Sequence, residues 1–529
     1  MRRAADCCGR PRGFLDESGE AKRRDALWLA ALVVAAAAVR AIRWAQTAVM
    51  MNDGPEFIGL AQKFAGGQWR TAIDHNFHPL YPAAVALAHA VGGDWVSAGA
   101  AVSVAGGALA VAALWWLVRE AFGRREAFVA ATLLAVNPTA IELADVQSDA
   151  LYLAWFVASA ALLYRAYARG SARSAFAAGL TAGLAYLTRP EGVGTVVVGV
   201  ALAGFEGVRR HFSVSEALRL AAPLCAGALL VMSPYVAYRS VQAGGLVLTG
   251  KKSVGHLLGL SGDPRPHAVD PLLAAHPELP PLPRGVTPFR DAPAPEGSAR
   301  LTGAAVDLVA ESLRALRPEG ALLLAVGLLA LRGRPGRRGR CFGAYAGLYA
   351  VVLFGLQASS GYLSRRHALP PLTLLLGYAA AGLFALAAAL ERVPALAPRP
   401  ALRAALPLLL VAGLGLGKAL RPVRDDALPE RRAAEWIARE GGLAPGETVA
   451  AVKQRVGWYA NAPFVDLRRA PHPALLLPFL RRERVRYVVV DAREREELLQ
   501  LAHGEPDALL LRHTEVEGRH EAYVFELRG

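Results

Sequence analysis

Residues 95–118 read WVSAGAAVSVAGGALAVAALWWLV, a stretch of 24 residues without one charged side chain. A helix of about 20 apolar residues is long enough to cross the hydrocarbon core of a bilayer. Comparable apolar blocks recur at 26–40, 127–143, 150–168, 175–190, 193–208, 217–238, 319–332, 341–358, 368–391 and 401–420. Together they predict an all-α polytopic membrane bundle with about 11 transmembrane helices.

The composition of the chain supports a membrane protein. Of its 529 residues, 54% are hydrophobic and 19% are charged, and the mean hydropathy is +0.30. Soluble, collagen-like, coiled-coil, disulfide-scaffold and disordered proteins have other compositions or patterns. A net charge of +15 is also found in nucleic-acid binders, but here the basic residues form short clusters between apolar blocks, so no nucleic-acid partner is expected.

The distribution of basic residues predicts the topology. Loops assigned to the inside hold 24 Arg and Lys residues, whereas the short outside loops hold 6. Positive charge is enriched in cytoplasmic loops. The prediction is therefore a cytoplasmic segment at 1–25, a transmembrane domain at 26–420 with outer loops at 43–94 and 239–318, and an extracytoplasmic domain at 421–529.

Local patterns predict the structure of the three polar segments. In the first loop, apolar residues at 57, 60, 61, 64 and 65 have helical spacing, which predicts an amphipathic interfacial helix. The second loop is proline-rich from 264 to 295, which predicts an irregular flap. The tail alternates helix-like and strand-like stretches, at 431–439, 448–452, 486–490 and 522–527, which predicts a small soluble α/β domain.

Acidic residues at the outer ends of the spans are candidates for catalysis. Asp53 and Glu56 follow the first span and share one helix face. They also fit a helix start with Asp53 as N-cap, a structural interpretation that does not exclude catalysis. Asp145 and Asp149 follow Glu142 at helical spacing, which fits either one acidic face or a solvated turn.

Basic residues at the same face are candidates for binding an anion. Arg189 and Glu191 bracket a proline at a span end, where a charge pair also serves as an interface anchor. Lys251 and Lys252 belong to a chain with only six lysines, and a compact ammonium suits a phosphate oxygen. Arg365 and Arg366, beside Tyr362, are positive charges in a short outside loop, where they are disfavoured.

Metal and nucleotide chemistry find little support in the sequence. His75 and His78 with Asp74 could seat a metal, but no further His or Cys supports it, so polar caps of a turn are the favoured interpretation and no metal is predicted. Phosphate-loop, dinucleotide-binding and common hydrolase motifs are absent. Acids and cations at one face instead fit transfer of a sugar from a lipid phosphate, with a base for the acceptor hydroxyl and cations for the leaving phosphate.

Several motifs resemble those of one family. NDGPEF at 52–57, GQW at 67–69 and HPLYP at 78–82 are similar in order and spacing to the first outer loop of the dolichyl-phosphate-mannose-protein mannosyltransferase-like glycosyltransferases, which have the GT-C fold. The blocks NP at 137–138, SDALY at 148–152 and GLTAGLAYLTRP at 179–190 also look like that family, as does Arg366 followed by Pro370-Pro371. The resemblance covers residues 25–390 and leaves out the tail.

The resemblance implies a function and roles for individual residues. It implies metal-independent, inverting transfer from a polyprenyl-phosphate sugar, with Asp53 as general base. In our hypothesis Glu56 or Asp149 positions the sugar or the base. His78 and Tyr81 lie in a matching motif and are candidate substrate-binding residues. Lipid phosphate would be held by outer-loop cations, for which Lys251, Lys252, Arg365 and Arg366 are the candidates.

The leading hypothesis is therefore an integral-membrane glycosyltransferase of the bacterial inner membrane, with its site facing the periplasm. Its partners would be a polyprenyl-phosphate sugar donor, a glycan, lipid or protein acceptor, and membrane lipid, and it would need no cofactor. A transporter or flippase of lipid-linked sugars is one alternative. A non-catalytic membrane assembly subunit whose tail recruits partners is another.

Overall fold

The computed structural model describes residues 19–250, 270–279, 289, 297–332, 336–502 and 505–528. The helices, in chain order, are α1 (Gly19–Ala45), α2 (Gly54–Ala65), α3 (Trp69–Ile73), α4 (Leu80–Val91), α5 (Trp95–Ala121), α6 (Arg124–Val136), α7 (Pro138–Glu142), α8 (Asp149–Arg169), α9 (Ala172–Thr188), α10 (Gly194–Val208), α11 (Val214–Ala243), α12 (Pro271–Ala274), α13 (Gly297–Ala330), α14 (Arg337–Ser360), α15 (Arg365–Thr373), α16 (Leu376–Ala389), α17 (Pro400–Ala419), α18 (Leu428–Glu440), α19 (Arg455–Tyr459), α20 (Leu476–Arg482) and α21 (Ala492–Leu501). The strands are β1 (Thr448–Ala451), β2 (Phe464–Asp466), β3 (Val485–Asp491), β4 (Leu509–Glu517) and β5 (His520–Leu527).

The membrane helices follow the apolar blocks of the sequence. Within the described residues, seven helices are long and apolar enough to cross a membrane: α1, α5, α8, α10 with the 3-10 turn before it, α11, α14 and α17. Helices α15 and α16 meet at a bend of 72° and add an eighth span if they count as one. The other three predicted spans are occupied by α6 with α7, by α9 and by the second part of α13. The prediction of a polytopic helical bundle is confirmed.

Helices α9 and α11 approach each other closely because glycines lie at their contact. A Cβ atom added at Gly179 would lie 2.1 Å from the Leu224 carbonyl oxygen, and one added at Gly227 would lie 2.2 Å from the Phe176 carbonyl oxygen. Small residues permit such backbone contact between membrane helices, whose association depends on packing because lipid supplies no hydrophobic drive. The contact fixes α9, and Arg189 is the residue that ends it.

The first outer loop contains the predicted amphipathic helix. Helix α2 buries Phe57, Leu60 and Ala61, three of the five residues in the predicted stripe, and also buries Ile58. Phe57, Ile58 and Ala61 pack with residues of α4 and α5, including Tyr81 and Ala98. The loop is therefore folded against the membrane helices.

The second outer loop differs from the prediction in its last part. Residues 297–316, assigned to the loop, are helical and form the first part of α13. The helix is interrupted at Arg317, which has a positive φ of 64° and precedes Pro318. Proline disfavours the helical conformation of the residue before it, which explains the break. Proline-free residues 297–316, by contrast, contain alanines and leucines that favour helix.

The C-terminal part forms the predicted α/β domain. The sheet order is β2-β1-β3-β5-β4, in which β1 pairs in parallel with β2 and β3, and β5 pairs antiparallel with β3 and β4. One buried cluster includes Leu480, Val488 and Leu498, and another on the sheet includes Ile437 and Val489. Strands β2 and β4 were not predicted, because β2 has three residues and β4 carries four charged or histidine side chains among its nine residues.

The chain after the last membrane helix returns to the first outer loop. Thr47 and Val423 form an isolated parallel bridge, in which the Ala48 N–H donates to the Val423 carbonyl at 3.1 Å. Arg431 of α18 donates to the Ala48 carbonyl at 2.7 Å. Val423 in the linker and Arg431 in α18 thus lie directly beside the segment that leads to Asp53.

Candidate functional site

Asp53 lies at the start of α2 and is half-buried. The Gly54 N–H donates to the Met51 carbonyl at 2.9 Å, which closes a tight turn around Asp53. Asp53 is the N-cap residue of α2, as the structural interpretation predicts, but its carboxylate accepts no capping hydrogen bond. Within the described residues it has neither an ion pair nor a side-chain hydrogen bond. A carboxylate in this state can accept a proton from a bound hydroxyl.

Glu56 has partners from two parts of the chain. His75 Nε2 lies 2.9 Å from its carboxylate, and the side-chain amide of Gln454 donates to the same carboxylate. The Phe77 N–H donates to His75 Nδ1 at 3.1 Å, which leaves the proton of a neutral imidazole on Nε2, toward Glu56. The hydrogen bond from His75 lowers the pKa of Glu56 to about 2. Glu56 is therefore an ionised anchor between the first loop and the C-terminal domain.

His78 and Tyr81 belong to the later part of the first loop and make buried contacts. His78 Nδ1 lies 2.6 Å from the Tyr186 carbonyl, and its Nε2 lies 3.2 Å from the Thr249 hydroxyl. Tyr81 donates to the Gly99 carbonyl at 3.0 Å. His75 and His78 thus face different partners, and within the described residues no group of three or more His, Cys, Asp or Glu could hold a metal.

Glu142, Asp145 and Asp149 do not share a helix face. Helix α7 ends at Glu142 and α8 begins at Asp149, so a turn separates them and the alternative of a single acidic face is wrong. The turn is not solvated either, because Asp145 and Asp149 are buried. Each carboxylate faces a different arginine. Arg365 lies 2.6 Å from Glu142, Arg189 lies 2.6 Å from Asp149, and Arg424 forms an ion pair with Asp145.

Four arginines converge on one cavity of about 470 Å³ between the membrane helices and the linker to the C-terminal domain. They come from separate segments: α1, the N-terminus of α15, and the linker after α17. The cavity lining is Arg43, Thr47, Met51, Thr139, Ile141, Glu142, Leu143, Ala144, Asp145, Gln147, Tyr362, Ser364, Arg365, Arg366, Pro422, Val423 and Arg424. Four arginines and two carboxylates leave two formal positive charges in excess. The cavity suits an anion that offers several oxygens.

Arg366, one of the predicted anion-binding residues, lies close to Asp149, one of the predicted acidic residues. It lies 2.8 Å from the Tyr362 hydroxyl, 3.2 Å from the Gln147 side chain and 3.9 Å from the Asp149 carboxylate. Asp149 and Glu191 are both bound by Arg189, Glu191 at 3.4 Å. The structure therefore brings Tyr362, Arg365, Arg366 and Asp145 together around the cavity and places Arg189, Asp149 and Glu191 directly behind Arg366.

Lys251 and Lys252 lie outside the described residues. The segment that precedes them contacts both α9 and the first loop. The Tyr186 hydroxyl donates to the Leu248 carbonyl, and the Thr249 hydroxyl lies 3.2 Å from His78 Nε2.

Arg43 and Arg424 were missed by the sequence analysis. Arg43 lies in the last turn of α1, within the segment that the sequence analysis assigns to the outside, where positive charge also singled out Arg365 and Arg366. Arg424 lies in a short polar linker without a motif, and only the folded structure brings it to Asp145.

Comparisons with known proteins place this geometry in a fold. The family model of dolichyl-phosphate-mannose-protein mannosyltransferase matches residues 74–238. No curated protein matches the chain in sequence. The structure of ArnT from Cupriavidus metallidurans bound to undecaprenyl phosphate is similar, with a TM-score of 0.57, 15% identity, and coverage of 95% of this chain and 98% of that one. The chain has the GT-C fold.

A second similar structure is an oligosaccharyltransferase of the same fold. It is AglB from Archaeoglobus fulgidus, solved with an inhibitory peptide and a dolichol phosphate. The TM-score is 0.56 at 15% identity, and the match covers 94% of this chain and 74% of that one. Both GT-C relatives were solved with a polyprenyl phosphate, the class of lipid that the sequence analysis predicts as part of the donor.

Proposed function

We propose that this protein is an integral-membrane glycosyltransferase that moves a sugar from a polyprenyl-phosphate donor to an acceptor hydroxyl. The observation that carries the proposal is the arginine-lined cavity beside a turn that presents a carboxylate without a partner among the described residues. Met51 lines the cavity, and Asp53 lies two residues further along the same turn. An anion site and a base at one face are what this transfer requires.

In the proposed reaction, Asp53 takes the proton of the acceptor hydroxyl. The acceptor oxygen forms a bond to the anomeric carbon while the bond from that carbon to the phosphate oxygen breaks. The leaving phosphate keeps the electron pair of that bond, and Arg365, Arg366, Arg43 and Arg424 stabilise its charge. Attack from the face opposite the phosphate inverts the anomeric centre. In this scheme the arginines take the place of a metal, and the lipid-linked sugar is a co-substrate.

The proposed address is the inner membrane of a bacterium, with the cavity and the C-terminal domain in the periplasm. The support is the excess of basic residues in the loops on the opposite side, which also places the N-terminal segment in the cytoplasm. Donors linked to polyprenyl phosphate suit that compartment because the transfer consumes no nucleotide.

The test uses the purified full-length protein and two variants with the same chemical change. Asp53→Asn removes the proposed base, and Asp94→Asn alters an exposed carboxylate at the start of α5, where asparagine also serves as an N-cap. Each protein is incubated with a panel of radiolabelled polyprenyl-phosphate sugars and an envelope extract as acceptor. We expect transfer by the wild type and Asp94→Asn, and a loss of about 100-fold or more in Asp53→Asn.

Other outcomes separate the competing functions. Undiminished transfer by Asp53→Asn would overturn the role of this residue as base. Absence of transfer from every donor, with equal binding of lipid phosphate by wild type and Asp53→Asn, would favour a transporter. Absence of both transfer and lipid binding would favour an assembly subunit.

A further inference from the structure

The segment before Asp53 is held by the C-terminal part of the chain at successive backbone groups. The Gln46 carbonyl accepts from the Val423 N–H at 3.4 Å, and the Ala48 N–H donates to Val423 at 3.1 Å. The Val49 carbonyl accepts from Arg424 Nε at 2.6 Å. Residues 46–49 therefore have backbone hydrogen bonds to the linker after the last membrane helix, in addition to the bond from Arg431 to Ala48.

Tyr459 makes the contact nearest to Asp53 on this side. The Met50 N–H donates to the Tyr459 hydroxyl at 3.0 Å, and Met50 is 3% exposed. Tyr459 is the last residue of α19, and the Arg431 guanidinium lies 5.1 Å from its ring centroid. The phenol also packs against the apolar cluster that contains Phe57 and Tyr81. These contacts thus hold the Tyr459 hydroxyl in a fixed position beside the turn that carries Asp53.

Gln454 makes the matching contact on the other side of Asp53. It immediately precedes α19, and its amide donates to the Glu56 carboxylate in the first turn of α2. One short helix of the C-terminal domain therefore holds the backbone three residues before Asp53 and the side chain three residues after it. Asp53 lies between these two contacts.

The Asp53 carboxylate has no partner of its own among the described residues, so its position depends on the backbone turn that carries it. A displacement of about 1 Å in a reacting group can lower a rate by about 100-fold. Tyr459 and Gln454, at the two ends of α19, hold the residues on either side of that turn.

We propose that the C-terminal domain positions the candidate base, with Tyr459 as the positioning residue through Met50 and with Gln454 as its counterpart through Glu56. This inference rests on the proposed function of Asp53. It assigns the domain a role within the transfer reaction itself, since Tyr459 touches neither Asp53 nor, in the proposed scheme, the substrate.

The experiment compares Tyr459→Phe with Tyr487→Phe in the full-length protein. Both changes remove one phenolic hydroxyl from the same domain, and Tyr487 bonds the Gly441 carbonyl at 2.7 Å within that domain. For Tyr459→Phe we expect kcat to fall about tenfold with KM for the lipid donor unchanged, because the cavity arginines remain in place. For Tyr487→Phe we expect both constants to match the wild type.

Hydrogen exchange supplies a measurement that needs no substrate. Exchange of the Met50 amide and of peptides covering 48–54 should quicken about tenfold in Tyr459→Phe and stay unchanged in Tyr487→Phe. Gln454→Ala provides a second variant, since its side chain does not cap α19, and exchange at 54–58 should quicken in it. Equal exchange and equal kcat in Tyr459→Phe and Tyr487→Phe would overturn the inference.

The two proposals fail in different ways. If the wild type transfers no sugar, the proposed function fails, and the exchange data still decide whether Tyr459 holds the turn. If the wild type is active and Asp53→Asn is inactive, but Tyr459→Phe has the kcat of Tyr487→Phe, only the positioning role fails.

Discussion

Arg424 forms an ion pair with Asp145, a residue 279 positions earlier in the chain. Arg424 has a left-handed backbone with φ of 53°, which is uncommon outside glycine, and its guanidinium also binds the Val49 carbonyl. The Asp145 side chain is 4% exposed, and Asp145 belongs to the turn that connects α7 to α8. The linker to the C-terminal domain thus completes the cavity wall, and the cavity and the Asp53 turn share one arginine.

Breaking this ion pair should destabilise the protein. Arg424→Gln leaves the buried Asp145 carboxylate without its cation, and Asp145→Asn removes the other partner. We expect a coupling energy of about 2 kcal/mol between the two substitutions, because removing one partner leaves an uncompensated buried charge. Thermal unfolding of the purified protein, its two single variants and the double variant measures it. The exposed pair of Arg432 and Glu517 is the control, for which about 0.5 kcal/mol is expected, and an equal value for both pairs would contradict the prediction.

Arg366 should contribute to the affinity for lipid phosphate. Arg366→Gln removes one charge of the cavity, and we expect the Kd for a short-chain polyprenyl phosphate to rise about tenfold. Arg314→Gln is the matched control, because Arg314 is exposed on α13 and pairs with Glu311 away from the cavity. Titration at two salt concentrations checks the electrostatic origin, since the loss should shrink at high salt. A Kd for Arg366→Gln equal to that of Arg314→Gln would exclude the assignment.

Glu56→Gln should destabilise the folded protein at neutral pH. It should reduce sugar transfer less than Asp53→Asn does. The pKa of Glu56 is about 2 in the folded chain against an ordinary value of 4.5, so its ionised form favours folding. This contribution is complete above pH 4.5 and is lost as the pH falls toward 2. Melting temperatures of wild type and Glu56→Gln should therefore differ at pH 7 and converge toward pH 3. Glu440→Gln, an exposed change, should show no such convergence, and a larger loss of transfer in Glu56→Gln than in Asp53→Asn would refute the anchoring role.

Glu494 should make the C-terminal domain less stable at alkaline pH. Burial raises the pKa of Glu494 to about 7, so the folded domain holds its proton more tightly than the unfolded chain. Stability from this group is present below pH 4.5 and is lost as the pH rises to 7. Glu494→Gln should therefore slow hydrogen exchange of α21 at pH 8 and leave it unchanged at pH 5. Glu496→Gln, exposed on the same helix, is the control and should leave exchange unchanged at both values.

The membrane bundle could be predicted from the sequence because apolar length is a direct physical requirement of the bilayer. Helix α5 lies over the predicted block 95–118, and strand β3 covers the predicted stretch 486–490. Apolar length was enough to predict α5, and a β-branched run was enough to predict β3. The α-helical part of the second loop was missed because nearby prolines dominated its interpretation, although none lies within 297–316.

The candidate site could be predicted only as a set of residue types at one face. Tyr362, Arg365 and Arg366 were found because positive charge in a short outside loop is unusual, and they line the cavity with Asp145. The sequence could not predict which acid pairs with which arginine, since Glu142 and Asp149 lie on different helices. Arg424 and Tyr459 escaped because their contacts join segments more than 270 residues apart.

The hydrogen bond between Met50 and Tyr459 spans 409 residues of sequence, and it has a consequence for biosynthesis. The turn that carries Asp53 follows Met50 directly and is therefore synthesised about 400 residues before Tyr459. Helices α5 to α17 lie between these two residues in the sequence, so all of them are synthesised before Met50 and Tyr459 can meet. If the proposed function is right, a product truncated before residue 459 is expected to lie in the membrane with much less transfer activity than the full-length chain.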